Sequence, residues 1–218
     1  AYEIPLRLVG SEMCIRDRVP VVLITFILFL AYYAYRRKQI DKVNTQKESD
    51  FWQRENDANS TRKQDITNLD YIQIPVDTFP IGAYPNEGYE ETEQQLLALS
   101  EQKILNLTGI SNTDLKLQYG VSNLAILSDC DERFTTLVRL LTDYAKGLAE
   151  HAHIDDAIRV LEFGVSIKSD VTENYTLLAG LYQEKGETAK ISDLIESADS
   201  LNSLSKDTIR KKLREILS

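Results

Sequence analysis

His151 and His153 stand two residues apart, with Asp155 and Asp156 close behind. Imidazole and carboxylate are common metal ligands. Ligation from one helix face, however, wants histidines four apart with acidic or thiol partners. Two aspartates at a helix start are explained by capping and by the helix dipole. We expect no metal there. Cys130 is the next candidate, a thiol between Asp129 and Asp131. Neighbouring negative charge raises a thiol pKa and blunts its reactivity. Asp129, Asp131 and Glu132 have the types needed for acid–base work, yet a cap and a solvated helix start account for them. The chain has no phosphate-cradling loop of the G-x-x-x-x-G-K-[ST] kind. One stretch keeps a ligand-binding composition: Asn106 to Asn123, NLTGISNTDLKLQYGVSN. It reads either as the lining of a polar pocket or as a corner bonded to itself. No catalytic residue and no cofactor is expected, so the chain reads as a non-enzyme.

The elements that carry these residues begin after an anomalous start. Met13 to Arg18 reads MCIRDR, which resembles an in-frame translation of the transposon adapter used in sequencing libraries. Residues 1–18 are therefore expected to be an artefact, set aside as an expression tag would be. Cys14 goes with them. Val19 to Tyr35, VPVVLITFILFLAYYAY, carries no charge, and Tyr32, Tyr33 and Tyr35 crowd one end before Arg36, Arg37 and Lys38. This pattern predicts a transmembrane helix over 19–38, touching membrane lipid, with its basic end inside. The expected address is the cell membrane, single-pass, with a cytoplasmic body.

The whole chain holds 25 Lys+Arg against 34 Asp+Glu, a net charge of −9. Beyond Lys38 the balance is 19 basic to 31 acidic. Nucleic acid is excluded as a partner, because binding it needs a basic face. Two cysteines exclude a disulfide scaffold. Residues 39–91 read as a juxtamembrane helix followed by a loop punctuated by Pro75, Pro80 and Pro85, whose aromatics favour packing. Residues 92–130 read as a helical hairpin cap. Its first helix starts at Thr92, buries Leu96, Leu97, Leu99, Ile104, Leu105 and Leu107, and stops at Gly109. Its second, capped by Asn112 or Thr113, runs to about Ser128, with Leu115, Tyr119, Leu124 and Ile126 inward. Asp131 is expected to cap a helix over Glu132–Glu150, followed by one over Ile154–Lys168. Asp170 and Glu173 form the pattern of a capping box for a helix to Lys185. A helix over Thr188–Leu201 and a last one after Ser205, within 205–218, complete the chain.

The chain compared with itself at one fixed offset gives paired large and small positions across 131–204. Leu141, Tyr144, Ala145, Leu148, Ala157, Leu161 and Gly164 pair with Tyr175, Leu178, Ala179, Tyr182, Ile191, Ile195 and Ala198. Their common spacing, 34, is the period of a helix–turn–helix solenoid. On these residues the chain resembles the tetratricopeptide repeat family, over about a third of its length. Ile191 departs from the pattern, being large where a small residue is usual.

The resemblance implies an all-α fold: two repeat units with flanking capping helices, preceded here by the expected transmembrane helix. It also implies an adaptor that binds a protein or peptide partner on the face lined by the first helices. Arg139, Thr142, Lys146, Thr176 and Gln183 are the candidate contact residues on that face, with Arg139 and Lys146 placed to receive a partner's carboxylates. Two alternatives stand beside it: a small-molecule sensor or enzyme using the polar corner 106–123, and a structural subunit of a membrane assembly. Oligomeric state is open.

Overall fold

The computed structural model describes residues 18–217, with side chains from Val21 onward. The expected artefact at 1–18 lies almost wholly outside the described residues. The chain divides into two compact units, 1–56 and 57–218.

The described part of the first unit is a single helix. It belongs to α1, Arg18–Ser60, whose last turn falls in the second unit. Among the described residues no helix is long and apolar enough to cross a membrane. This corrects the transmembrane helix, the lipid contact through 19–38, the membrane address and the cytoplasmic orientation built on it. The physical reason is the composition of α1. A span needs about 20 apolar residues, whereas the uncharged run stops at seventeen and includes Pro20, Thr25 and three tyrosines. From Arg36 to Ser60 the helix is polar, with Ile40, Val43, Phe51 and Trp52 as its exposed large apolar residues.

Among the described residues the second unit is helical apart from an irregular opening segment and the stretch between α2 and α3. Backbone N–H of Gln64 donates to Tyr119 O, and that of Ile72 donates to Ile104 O, so residues 61–75 lie along the corner at 104–120. The proline-punctuated strap then buries Ile74, Phe79 and Tyr89. Phe79 meets Phe163 edge-on, with centroids 5.6 Å apart. The helices follow: α2, Glu90–Ser100; α3, Asn112–Tyr119; α4, Leu124–Glu150; α5, Ile154–Ser166; α6, Thr172–Glu184; α7, Thr188–Asp199; and α8, Lys206–Leu217.

Three local expectations are corrected. The first hairpin helix stops at Ser100, not at Gly109. Leu105 and Leu107 are still buried, by alternation in extended chain, while Asn106 between them bonds away from the core. Leu97 is 42% exposed. Second, α4 is one helix of 27 residues, so Asp131 lies inside it and caps nothing. Its carboxylate instead accepts from Leu107 N–H at 3.0 Å, tying down that extended stretch. Ile126 is exposed on the same helix. Third, no capping box forms at α6. Asp170 accepts from Ser203 Oγ at 2.7 Å, and Glu173 faces Lys146.

The main core runs from Ile74 to Leu213. Every position paired by the repeat is buried except Ile195, which is half-buried. α4 packs on α5, α5 on α6, and α6 on α7, each joined to the next by a short turn. α8 then packs against both α6 and α7. It buries Ile209 and Leu213, which stand one further period beyond Tyr175 and Ala179. A second, smaller cluster holds Leu105, Leu107, Leu115, Leu127 and Cys130.

Adjacent residues of α6 should respond oppositely to an added side chain. Ala179 is fully buried, so Ala179→Leu overpacks the core and costs about 1–3 kcal/mol. Gly180 is exposed in the helix interior, with nothing within 4 Å of an added Cβ, so Gly180→Ala gains about 0.5–1 kcal/mol. Urea denaturation of the two variants measures both signs.

Candidate partner-binding face

The outward residues of α4, α6 and α8 align at the period of the repeat. Lys146, Gly180 and Arg214 form one column, all exposed. Arg139, Glu173 and Asp207 form a second, also exposed. Between them lie Thr142, Thr176 and Arg210, which are less open than their neighbours: Thr142 is 3% exposed and the other two are half-buried. The face thus has two exposed rows flanking a less open one, a channel in outline. A helix turns through about 100° per residue, so positions seven apart, such as Arg139 and Lys146, return to nearly the same side.

The predicted contact residues fare differently. Arg139 stands exposed beside a groove of about 490 Å³ lined by Leu107, Ile110, Asp131, Glu132 and Thr135. Lys146 is exposed, its Nζ 3.6 Å from Glu173 Oε1 across to α6. Such an exposed pair holds little energy and yields readily to a competing carboxylate. Thr142 does not face outward: its hydroxyl is buried and donates to Val138 O at 2.8 Å. Thr176 donates in the same way to Thr172 O at 3.2 Å. Gln183 is exposed and its amide donates to Ile216 O on α8 at 3.4 Å. Sequence reasoning missed Glu173 as the partner of Lys146, and missed α8 as the third helix of the face. Carrying the offset of the repeat once more, past Glu173 and Gly180, would have found Asp207 and Arg214.

The histidine turn has a structural task. Both imidazoles approach one carboxylate on the strap, that of Glu87. His153 Nε2 lies 3.0 Å from it and His151 Nδ1 4.0 Å. The His153 ring stacks on Tyr84, with centroids 3.6 Å apart, and the Tyr84 hydroxyl donates to Asp156 Oδ2 at 2.8 Å. Tyr89 O–H donates to Gly147 O at 2.9 Å and lies 2.7 Å from His151 Nδ1. Gly147 is required here, since a Cβ would come within 2.9 Å of the Tyr89 ring. Behind them the buried Glu93 accepts from Tyr144 O–H and from Gly82 N–H, both at 3.0 Å.

These contacts shift the groups involved. The hydrogen bond from His153 holds the Glu87 carboxyl below its ordinary value. Burial, then the Glu87 hydrogen bond, pushes the Tyr89 phenol up to about 12. Burial is also the main cause of the raised Cys130 thiol, with Asp129 a smaller one. Arg133, whose Nη1 lies 3.8 Å from Sγ, works against it. No group of three or more His, Cys, Asp or Glu able to hold a metal ion occurs among the described residues.

The polar corner divides between two grooves. Asn106 and Thr108 line one of about 610 Å³, while Leu107, Ile110, Asn112 and Leu115 line the one beside Arg139. Asn123 is buried, and its amide donates to Gln64 O at 2.8 Å and Tyr119 O at 2.7 Å. Gly120 has φ +83°, and a Cβ there would meet Arg62 O at 2.7 Å. Much of the corner therefore anchors the segment entering the second unit. No protein family, no curated protein and no solved structure matches the chain.

Glu87 gives the strap a pH dependence whose sign is fixed. A carboxyl lowered in the folded state stabilises above its unfolded pKa, and that stability is lost as pH falls through the folded value. The difference in urea midpoint between the native chain and Glu87→Gln should be fully present above the ordinary glutamate value. It should shrink toward zero as the pH is taken below 4.5, the ordinary glutamate value.

Proposed function

We propose that the protein is a binding scaffold of the tetratricopeptide type, and that a protein or peptide partner lies in the channel across α4, α6 and α8. Its work is recognition rather than catalysis. The observation that carries this reading is the alignment of three helices at one offset. Buried positions recur with a single period from Leu141 to Leu213, and outward positions recur with them. Stacked units of this kind bury a continuous core and leave an extended surface free for a partner.

Two features of the channel favour an elongated occupant. Gly180 lies midway along its wall and leaves open space where a side chain would stand. An exposed glycine in a helix interior costs about 1 kcal/mol relative to alanine, and no packing contact requires this one. A partner backbone gains close approach to α6 there. Lys146 and Arg214 stand on either side of the gap, offering charge at both ends of the approach. Arg139, at the rim of the adjoining groove, extends the surface toward α3.

A photo-crosslinking residue placed at Lys146 or Gln183 in cells that make the protein tests this reading. A discrete adduct is expected from both positions, and it should be lost in the Arg139→Glu/Arg214→Glu background. No adduct is expected from Gln94, which is exposed on α2. Equal adducts from all three positions, or none from the channel, would contradict the reading.

A further inference from the structure

A second large groove in the same unit lies away from the channel, where two turns stack. The turn after α5, residues 166–170, and the turn after α7, residues 200–204, stand one repeat period apart. They are built alike. Ser166 Oγ donates to Phe163 O and Ser200 Oγ to Ser197 O, both at 2.7 Å. Val171 N–H donates to Ser169 Oγ at 3.3 Å and Ser205 N–H to Ser203 Oγ at 3.2 Å. Ser203 Oγ in turn donates to Asp170 Oδ2, linking the turns at 2.7 Å. From the opposite wall the Asn106 amide donates to Ile167 O at 3.0 Å and Lys168 O at 3.2 Å. The strap closes the remaining side with Asp70, Ile72 and Gln73.

The enclosed volume is about 610 Å³, within the range of small-molecule sites, roughly 300–1,000 Å³. Its lining carries donors, at Gln73, Thr108, Lys168 and Asn202, and a larger set of acceptors. Three lining hydroxyls, those of Ser166, Ser200 and Ser203, spend their protons on neighbouring oxygens and so keep only acceptor capacity. The donors of the Asn106 amide are likewise spent. Asp70 and Asp170 add two carboxylates, against Lys168 as the one cation among the described lining residues. Ile72, Ile167 and Leu201 supply apolar area beside these acceptors.

An acceptor-rich, negatively polarised groove with an apolar patch suits a donor-rich cation on an aliphatic stem. We propose that this groove binds an ammonium or guanidinium group, carried by a free small amine or by a lysine or arginine side chain of a polypeptide. The inference does not depend on the channel: none of Arg139, Lys146 or Gln183 lines this groove.

Isothermal titration calorimetry on the full chain tests it with four probes: agmatine, acetyl-Gly-Arg-Gly-amide, glycerol and inorganic phosphate. Saturable binding of agmatine, the peptide or both is expected, with a dissociation constant of about 1 mM or tighter. The stronger of the two identifies the source of the cation. Asp70→Asn/Asp170→Asn should weaken that binding at least tenfold. The amide introduced in place of Asp170 keeps an acceptor for Ser203, while both charges are gone. An unchanged urea midpoint shows that the variant is folded; if it is not, the single variant Asp70→Asn, at an exposed position, must show the weakening. Lys168→Ala should bind as well as the native chain or better. Arg139→Glu/Lys146→Glu should leave the affinity unaltered, which separates failure here from failure of the channel reading. No saturable binding of either cation, equal affinity in the aspartate variants, or preference for phosphate or glycerol would overturn the proposal.

Discussion

Gly164 on α5 faces Asn174 on α6, and a Cβ at the glycine would come within 2.6 Å of Asn174 Oδ1. Asn174 is fully buried, and its amide nitrogen donates to Leu161 O at 3.3 Å. That crossing sets how closely the two hairpins of the second unit approach. Interiors pack at crystal-like density and relax only partly when a side chain is added. The spacing at Gly164 therefore decides where α6 lies, and α6 in turn carries α7 and α8. Tyr175, Leu178 and Ala179 fill the space behind the crossing, each fully buried. The channel floor, the column of Lys146, Gly180 and Arg214, and the stacked turns at 166–170 and 200–204 all inherit that spacing.

The strap solves a different problem. A solenoid's first hairpin exposes a side that the preceding repeat would cover. Here α2 packs on α4, and the strap, a run of turns that includes a 3-10 turn at Val76–Thr78, sets Phe79 against Phe163 of α5. Side chains fasten it: Arg159 donates to Thr78 O, Glu93 accepts from Gly82 N–H, and Tyr84 O–H donates to Asp156. The histidine turn is part of this fastening. α8 packs with an apolar face inward, Ile209 and Leu213, and leaves Lys211, Lys212, Arg214 and Glu215 exposed.

The sequence was most legible where periodicity and turn residues agreed. The starts of α5 and α7, and the last helix after Ser205, follow from helical spacing broken by the HAH turn and Gly186. It was least legible from Leu99 to Asp131. Leu105 and Leu107 sit at a spacing of two, the period of extended chain, yet they follow a true helical run and extend it by eye. Asp131 looked like a cap because nothing local shows that its partner is Leu107 N–H, far back in the chain. Thr142 misled for a related reason: its hydroxyl bonds within its own helix, so a polar residue occupies a buried floor. The exposure of Arg139, Lys146 and Gln183 was readable from helical phase. The second groove was not, because its walls come from four segments whose meeting depends on tertiary packing. In α1 the uncharged run carried the reading of a span, and its seventeen-residue length was the part of the signal that argued against it.

The account turns on α4, α6 and α8 lying side by side in one register, with α6 between the other two. Spin labels at Lys146 and Arg214, in a Cys14→Ala/Cys130→Ala background, measure this directly by double electron–electron resonance. Neighbouring packed helices stand about 8–10 Å apart, so two steps across the channel predict a separation of about 20 Å between the labelled helices. A distribution centred on a single helix-to-helix step, half that separation, would place α8 directly against α4, as in a closed bundle, and would contradict the stacked arrangement.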